Sequence, residues 1–223
     1  MHFRPNLIFG LAIAAFTFSC QSPGGTTLEA DISGAEELLL AKIGTDEIEY
    51  QDTLHAVSGT FSYSFEDIEE AELWMLEVPN GTRLSLFVEP DQQIALEADA
   101  NDPGYEYSIE GSPGSERILN INRIMAGLMS GLDSLNNVNS ESVQLPEYTD
   151  IRERLDSTYG VKMNAARDAM LAMLDEDPGH LTNLFIFPMA VGNRQLIPAQ
   201  DYFDRYESSM SAMQERYPGN PHV

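Results

Sequence analysis

Cysteine is almost absent: Cys20 is the only one in 223 residues. A lone thiol excludes an internal disulfide and any C-x-x-C redox or zinc pair. Histidine is scarce as well, with four in the chain and no H-x-x-x-H spacing among them. A G-x-S-x-G elbow, a phosphate-cradling glycine loop and a dinucleotide fingerprint are all missing. Basic residues number 12 against 36 acidic ones, a net charge of −24. Such a surface repels nucleic acid and anionic headgroups. Three readings of the acidity remain: a basic partner, a multivalent cation, or a solvated face that aids solubility. Long apolar runs are missing too. The longest, Leu7 to Phe18, has 12 residues, well short of the roughly 20 that a membrane-crossing helix needs.

What is present begins with that short run. It follows Arg4 and ends at the small Ser19, the layout of an export signal over residues 1–19. The cysteine directly after the cut gives FTFSC, which resembles the cleavage box of bacterial lipoproteins. That resemblance implies a lipid on Cys20, against the alternative of ordinary secretion with a free N-terminal thiol. The following residues, to position 27, are QSPGGTT and read as a flexible tether. A lipid on such a tether holds a folded chain at a membrane without inserting it.

An apolar content of 43% is ample for a packed core. From residue 28 to 111 the period is that of strands. In GTFSYSF, Phe61, Tyr63 and Phe65 point one way and the small polar residues the other. ELWMLEV and RLSLFVE flank Pro79-Asn80-Gly81, a hairpin signal. QQIALEAD and YEYSIEG alternate likewise, and EELLLAKI and EIEYQDTL add two more segments. Seven or eight short strands predict an antiparallel sandwich or open barrel.

From residue 112 to 223 the period becomes helical, giving an α+β chain with a helical region of about four helices. Ile118, Ile121, Met125, Leu128, Leu132 and Leu135 share one face of the first. The polar NNVNSES reads as a loop. A second helix spans Tyr148 to Leu174, and a third, shorter segment runs from His180 to Val191, interrupted by Pro188. The fourth begins near Pro198.

Candidate sites are few. His55 lies near Asp52 and Ser58, but neighbours on a strand point to opposite faces, and a solvent-facing histidine is expected. DANDPGYEYSIE places Asp99, Asn101 and Glu110 at calcium-loop positions, with Pro103 where a ligand should stand. The competing reading is an ordinary turn. Eight of the ten methionines lie in the helical half. Met125, Met129, Met170, Met173, Met210 and Met213 either line an adaptable groove for apolar ligands or fill the core, and core is the preferred reading.

With these segments in hand, YQDTLHAVSGTFSYSF is similar to the opening signature of a domain of unknown function. That domain begins many thioredoxin-like thiol-disulfide oxidoreductase lipoproteins of Bacteroides-type bacteria. LFVEPDQQIALEAD, YSIEGSPGSERI, HLTNLFIFPMAVGN and the closing DYFDRYESSMSAMQERYPGNPHV resemble its later blocks, so the likeness covers nearly all of residues 20–223. In that family a thioredoxin-like domain with a W-C-x-x-C site follows and performs the redox step. Here no such dithiol exists, and the single tryptophan, Trp74, lies in a predicted strand. The resemblance implies an accessory role without cofactor or catalytic residue, beside a thioredoxin-like protein or domain. It also implies anchorage on the periplasmic face of the outer membrane. Two alternatives stand beside it: the front part of a truncated or split oxidoreductase, and a stand-alone binding lipoprotein for a peptide or cationic ligand.

Overall fold

The computed structural model describes residues 25–78, 81–101 and 106–223. Cys20, the export signal, Pro79-Asn80 and Pro103-Gly104 lie outside the described residues.

Eight strands come first: β1 (Thr26–Ser33), β2 (Glu37–Ile43), β3 (Ile48–His55), β4 (Thr60–Phe65), β5 (Glu72–Glu77), β6 (Arg83–Val88), β7 (Gln93–Asp99) and β8 (Ser108–Glu110). They form two four-stranded sheets, ordered β4-β1-β7-β8 and β3-β2-β5-β6. The sheets face each other as a sandwich and do not close into a barrel. Alternation along each strand supplies the core between them. Leu28, Ala30 and Ile32, with Phe61, Phe65, Ile94 and Leu96 beside them, meet Leu38, Leu40, Leu76 and Leu86 of the opposite sheet. Burying one such side chain contributes about 1.5–3 kcal/mol.

Two features depart from the antiparallel expectation. β1 and β7 pair in parallel, Thr27 opposite Gln93 through Ser33 opposite Asp99. A parallel pair needs a long crossover, and here the chain crosses by building β2 to β6 between the two strands. Periodicity reports which side chains share a face, not the direction of the neighbouring strand. In β5, moreover, Leu73, Trp74, Met75 and Leu76 are all buried, so alternation is lost. The cause is a third layer on the outer face of that sheet, where Leu73 and Phe87 pack with Ile118, Leu181, Met213 and Tyr217 of the helical half.

Three α-helices make that half: α1 (Pro113–Ser142), α2 (Tyr148–Glu176) and α3 (Phe203–Arg216). Ser112 caps α1, accepting from the Ser115 amide at 3.2 Å, with Pro113 starting the first turn. The same two serines bolt the helix to β6. Ser112 Oγ donates to the Phe87 carbonyl at 2.6 Å, and the Phe87 amide donates to Ser115 Oγ at 2.8 Å. So close an approach requires glycine at 114, where a Cβ would stand 2.9 Å from that of Phe87. At the other end of the chain, Asn220 Nδ2 donates to the Ala71 carbonyl at 2.8 Å, tying the C-terminal loop back to the sandwich.

The expected loop NNVNSES is instead the last two turns of α1. Ser140 and Ser142 donate to the carbonyls of Asn136 and Val138, and Tyr148 of α2 donates to Asn139 at 3.1 Å. Packing against α2 outweighs the weak helix propensity of asparagine and serine. The expected third helix is a 3-10 turn, Leu181–Phe185, followed by a small hairpin of β9 (Ala190–Val191) and β10 (Arg194–Gln195). Pro188 lacks the amide that would extend the turn, and Gly192, at φ +60°, reverses the chain. Nor does the last helix begin at Pro198; residues 198–202 form a turn before α3, with the Asp201 amide donating to the Pro198 carbonyl.

Candidate functional site

α1 and α2 are about 45 Å long each at 1.5 Å per residue and lie side by side as an arm. Their seam changes character along its length. Near the sandwich, Ile121, Leu128 and Leu132 meet Met163, Ala166, Met170 and Met173, and Ile186, Leu196 and Ile197 cover them. Beyond Leu132 no apolar residue of α1 is buried, and before Met163 none of α2 is. The covering layer ends at Val191. From there the seam opens into a cleft of about 450 Å³, within the size range of ligand sites. Met129, Leu132, Leu135, Leu155 and Tyr159 supply its apolar lining, and the exposed Asp133, Arg152 and Asp156 stand around it.

The six methionines do not share one groove. Met170 and Met173 are buried in the seam, with Met125 packed against it; Met213 is buried beneath α3, with Met210 beside it. Only Met129, 42% exposed, lines the cleft. The helical spacing located these side chains on inward faces, but α3 and the arm bury them in different clusters.

Glu110 is likewise kept away from Asp99 and Asn101. Asp99 Oδ1 accepts from the Asn101 amide at 2.9 Å and from its side-chain nitrogen at 3.1 Å, closing a turn after β7. Those hydrogen bonds hold the Asp99 carboxyl below the usual carboxylate range. Glu110 stands opposite Ala95, four positions earlier along β7, or about 13 Å by strand rise. Among the described residues no three His, Cys, Asp or Glu side chains come together as a metal site. His55 is exposed at the end of edge strand β3, and Asp52 Oδ1 is engaged by the Thr53 amide at 2.7 Å.

No motif in the chain singles out the joint where the arm meets the sandwich. Arg117 of α1 donates to the Met173 carbonyl at the end of α2 and to Asn183 Oδ1 at 2.9 Å. Asn183 donates onward to the carbonyls of Asp177 and Pro178, and Ser209 Oγ of α3 donates to Pro178 at 2.6 Å. His180 closes the joint. Its Nδ1 accepts from the Thr182 amide at 3.2 Å, and its ring rests on Phe87 with centroids 5.1 Å apart. Burial first, and then the Arg117 charge, lower its pKa to about 4, so the ring is neutral at pH 7. The joint holds the ends of α1, α2 and α3 together, and Arg117, Asp177 and His180 also line an open hollow of about 600 Å³ with Glu116 and Glu176.

Charge is distributed unevenly. Residues 25–111 hold 21 of the 36 acidic residues and two of the 12 basic ones. Both of those bases are already paired, Lys42 with Glu72 at 2.7 Å and Arg83 with Glu77 at 3.0 Å. On the outer face of the β4-β1-β7-β8 sheet, Asp31 stands directly opposite Glu97. The sandwich is thus a strongly negative body carrying a less acidic arm. Among the described residues no helix is long and apolar enough to cross a membrane.

Comparison with protein-family models, with curated proteins and with solved structures gave no match to this chain.

Proposed function

We propose that this chain is a non-catalytic, lipid-anchored module of a bacterial cell envelope, held at the periplasmic face of the outer membrane through Cys20. In this reading it positions or presents substrate to a thioredoxin-like protein or domain. The observation that carries it is the arm: two 30-residue-class helices, α1 and α2, rigidly bolted at one end and without a core of their own at the other. A two-helix tip of this kind gains most of its order from tertiary packing, which suits a surface meant to receive a partner. The YSIEGSPGSERI stretch, one of the blocks that resemble the oxidoreductase lipoproteins, is the segment in which Ser112 and Ser115 join arm to sandwich. The rigid joint supports an accessory, positioning role. The cleft in the arm also favours the binding-lipoprotein reading, since it sets Leu132, Leu135, Leu155 and Tyr159 beside Asn136, Asn139 and the charged Asp133, Arg152 and Asp156.

Two measurements test the proposal. The purified chain is expected to leave insulin disulfides intact at rates matching the buffer blank; catalysed reduction would overturn the accessory role. In native membranes, intact-mass spectrometry is expected to find residues 20–223 plus acyl groups. A species well above the 24.7 kDa of the full sequence would instead make this chain the front part of a longer enzyme.

A further inference from the structure

We propose that the cleft on the outer half of the α1–α2 arm is a docking groove for a cationic amphipathic helix of about three turns. The inference rests on the reading of the arm as a partner-receiving element. It starts from a continuity in the fold: along one seam, Ile186, Leu196 and Ile197 of this chain cover the inner half, and the cover ends at Val191. The outer half keeps a narrower apolar floor, Leu132, Leu155 and Tyr159 with Met129 beside them, among polar residues such as Asn136 and Asn139, and lies open. A third helix laid along two others buries its apolar stripe in such a seam.

Length and charge define the occupant. The cleft runs from Met129 to Asn139 on α1, about 15 Å of helix, which matches three turns. Asp133 and Asp156 are exposed at its edge. Neither forms an ion pair among the described residues, where the four ion pairs lie elsewhere. Cations on the docking helix would find partners there. A second copy of this chain would bring another −24 against the first. Arg152 is the only base lining the cleft and suits the C-terminal, negative end of the docked helix.

The test uses the full chain in detergent and a 14-residue leucine–lysine peptide with leucines at helical i, i+3, i+4, i+7 spacing. Binding is expected to shift the Met129 methyl resonance and leave those of Met75 and Met170 in place. Affinity is expected to fall about tenfold in Asp133→Lys/Asp156→Lys. In Asp31→Lys/Glu97→Lys, which changes the net charge equally but on the sandwich, it should stay within about twofold, because screening confines the effect of distant exposed charges. Equal losses in the two variants would reduce the binding to unspecific attraction and overturn the proposal. So would equal binding of a leucine–glutamate peptide of the same spacing, an unmoved Met129, or a dimer mass in sedimentation with Met129 occluded. The two proposals fail separately: an idle groove leaves the accessory role standing, and insulin reduction by the pure chain leaves the groove untouched.

Discussion

Gly111→Ala is expected to destabilise the protein by about 3 kcal/mol or more, because left-handed backbone strain and a main-chain clash add at one position. Gly111 lies between β8 and the Ser112 cap with φ at +80°, a conformation that costs an L-residue about 1 kcal/mol or more. An added Cβ would also press on the carbonyl oxygen of Gln93, with the carbonyl carbon 2.9 Å away. That carbonyl cannot give way easily, since Gln93 opens β7, in register with Thr27 of β1. Nor can Gly111 swing outward, because Ser112 is held to Phe87 at 2.6 Å. Urea unfolding of the variant beside Gly127→Ala makes the comparison clean. Gly127 sits within α1 with nothing near its missing Cβ, and alanine there is expected to stabilise by up to about 1 kcal/mol. A loss below about 1 kcal/mol at position 111 would mean that the joint is softer than described.

Acid is expected to loosen the same joint through His180. Its ordinary pKa of 6.5 applies in the unfolded chain, and the folded value is about 4. Between those values the unfolded state binds the extra proton, so stability rises with pH there. The contribution is complete above about pH 6.5 and is lost as pH falls toward 4. Its size is about 2 kcal/mol once the ring's partial exposure is allowed for. The groups facing the ring explain the sign. Phe87 of β6 offers an apolar face, Arg117 of α1 and Arg216 of α3 oppose a second positive charge, and Asp177 only partly offsets them. Protonation at Nδ1 would also remove the acceptor that caps the 3-10 turn at Thr182. His180→Asn keeps a capping acceptor and cannot titrate. Wild type is therefore expected to lose about 2 kcal/mol relative to this variant between pH 6.5 and 4, read by chemical denaturation at each pH. Parallel curves would remove His180 as the cause, since the many carboxylates are common to both proteins and cancel in the difference.

The sequence by itself determined whatever depends on one element and one face. Phe61 and Phe65, or Ile94 and Leu96, alternate because each strand shows one face to the core, and seven or eight strands could be counted on that basis, although Thr26 and Thr27, expected in the tether, open β1. The 3.6-residue recurrence from Ile118 to Leu132 likewise marked the buried stripe of α1. Among candidate sites, the turn at Asp99-Asn101 and the inward methionines were legible because both follow from local spacing.

The tertiary structure alone decided everything that needs a second partner. The parallel β1–β7 pair is set by strands 66 residues apart in register, Thr27 with Gln93, and no local period carries direction. Leu73 and Phe87 are buried on the outer face of their sheet because Ile118, Leu181 and Met213 arrive from beyond residue 112. NNVNSES is helical because α2 lies beside it, against its own propensity. His180 is neutral because burial and Arg117 meet at one joint. The cleft exists where the cover from Ile186 to Ile197 runs out along the arm. A site of this kind is a gap between elements, and a gap has no residues of its own to leave a pattern in the chain.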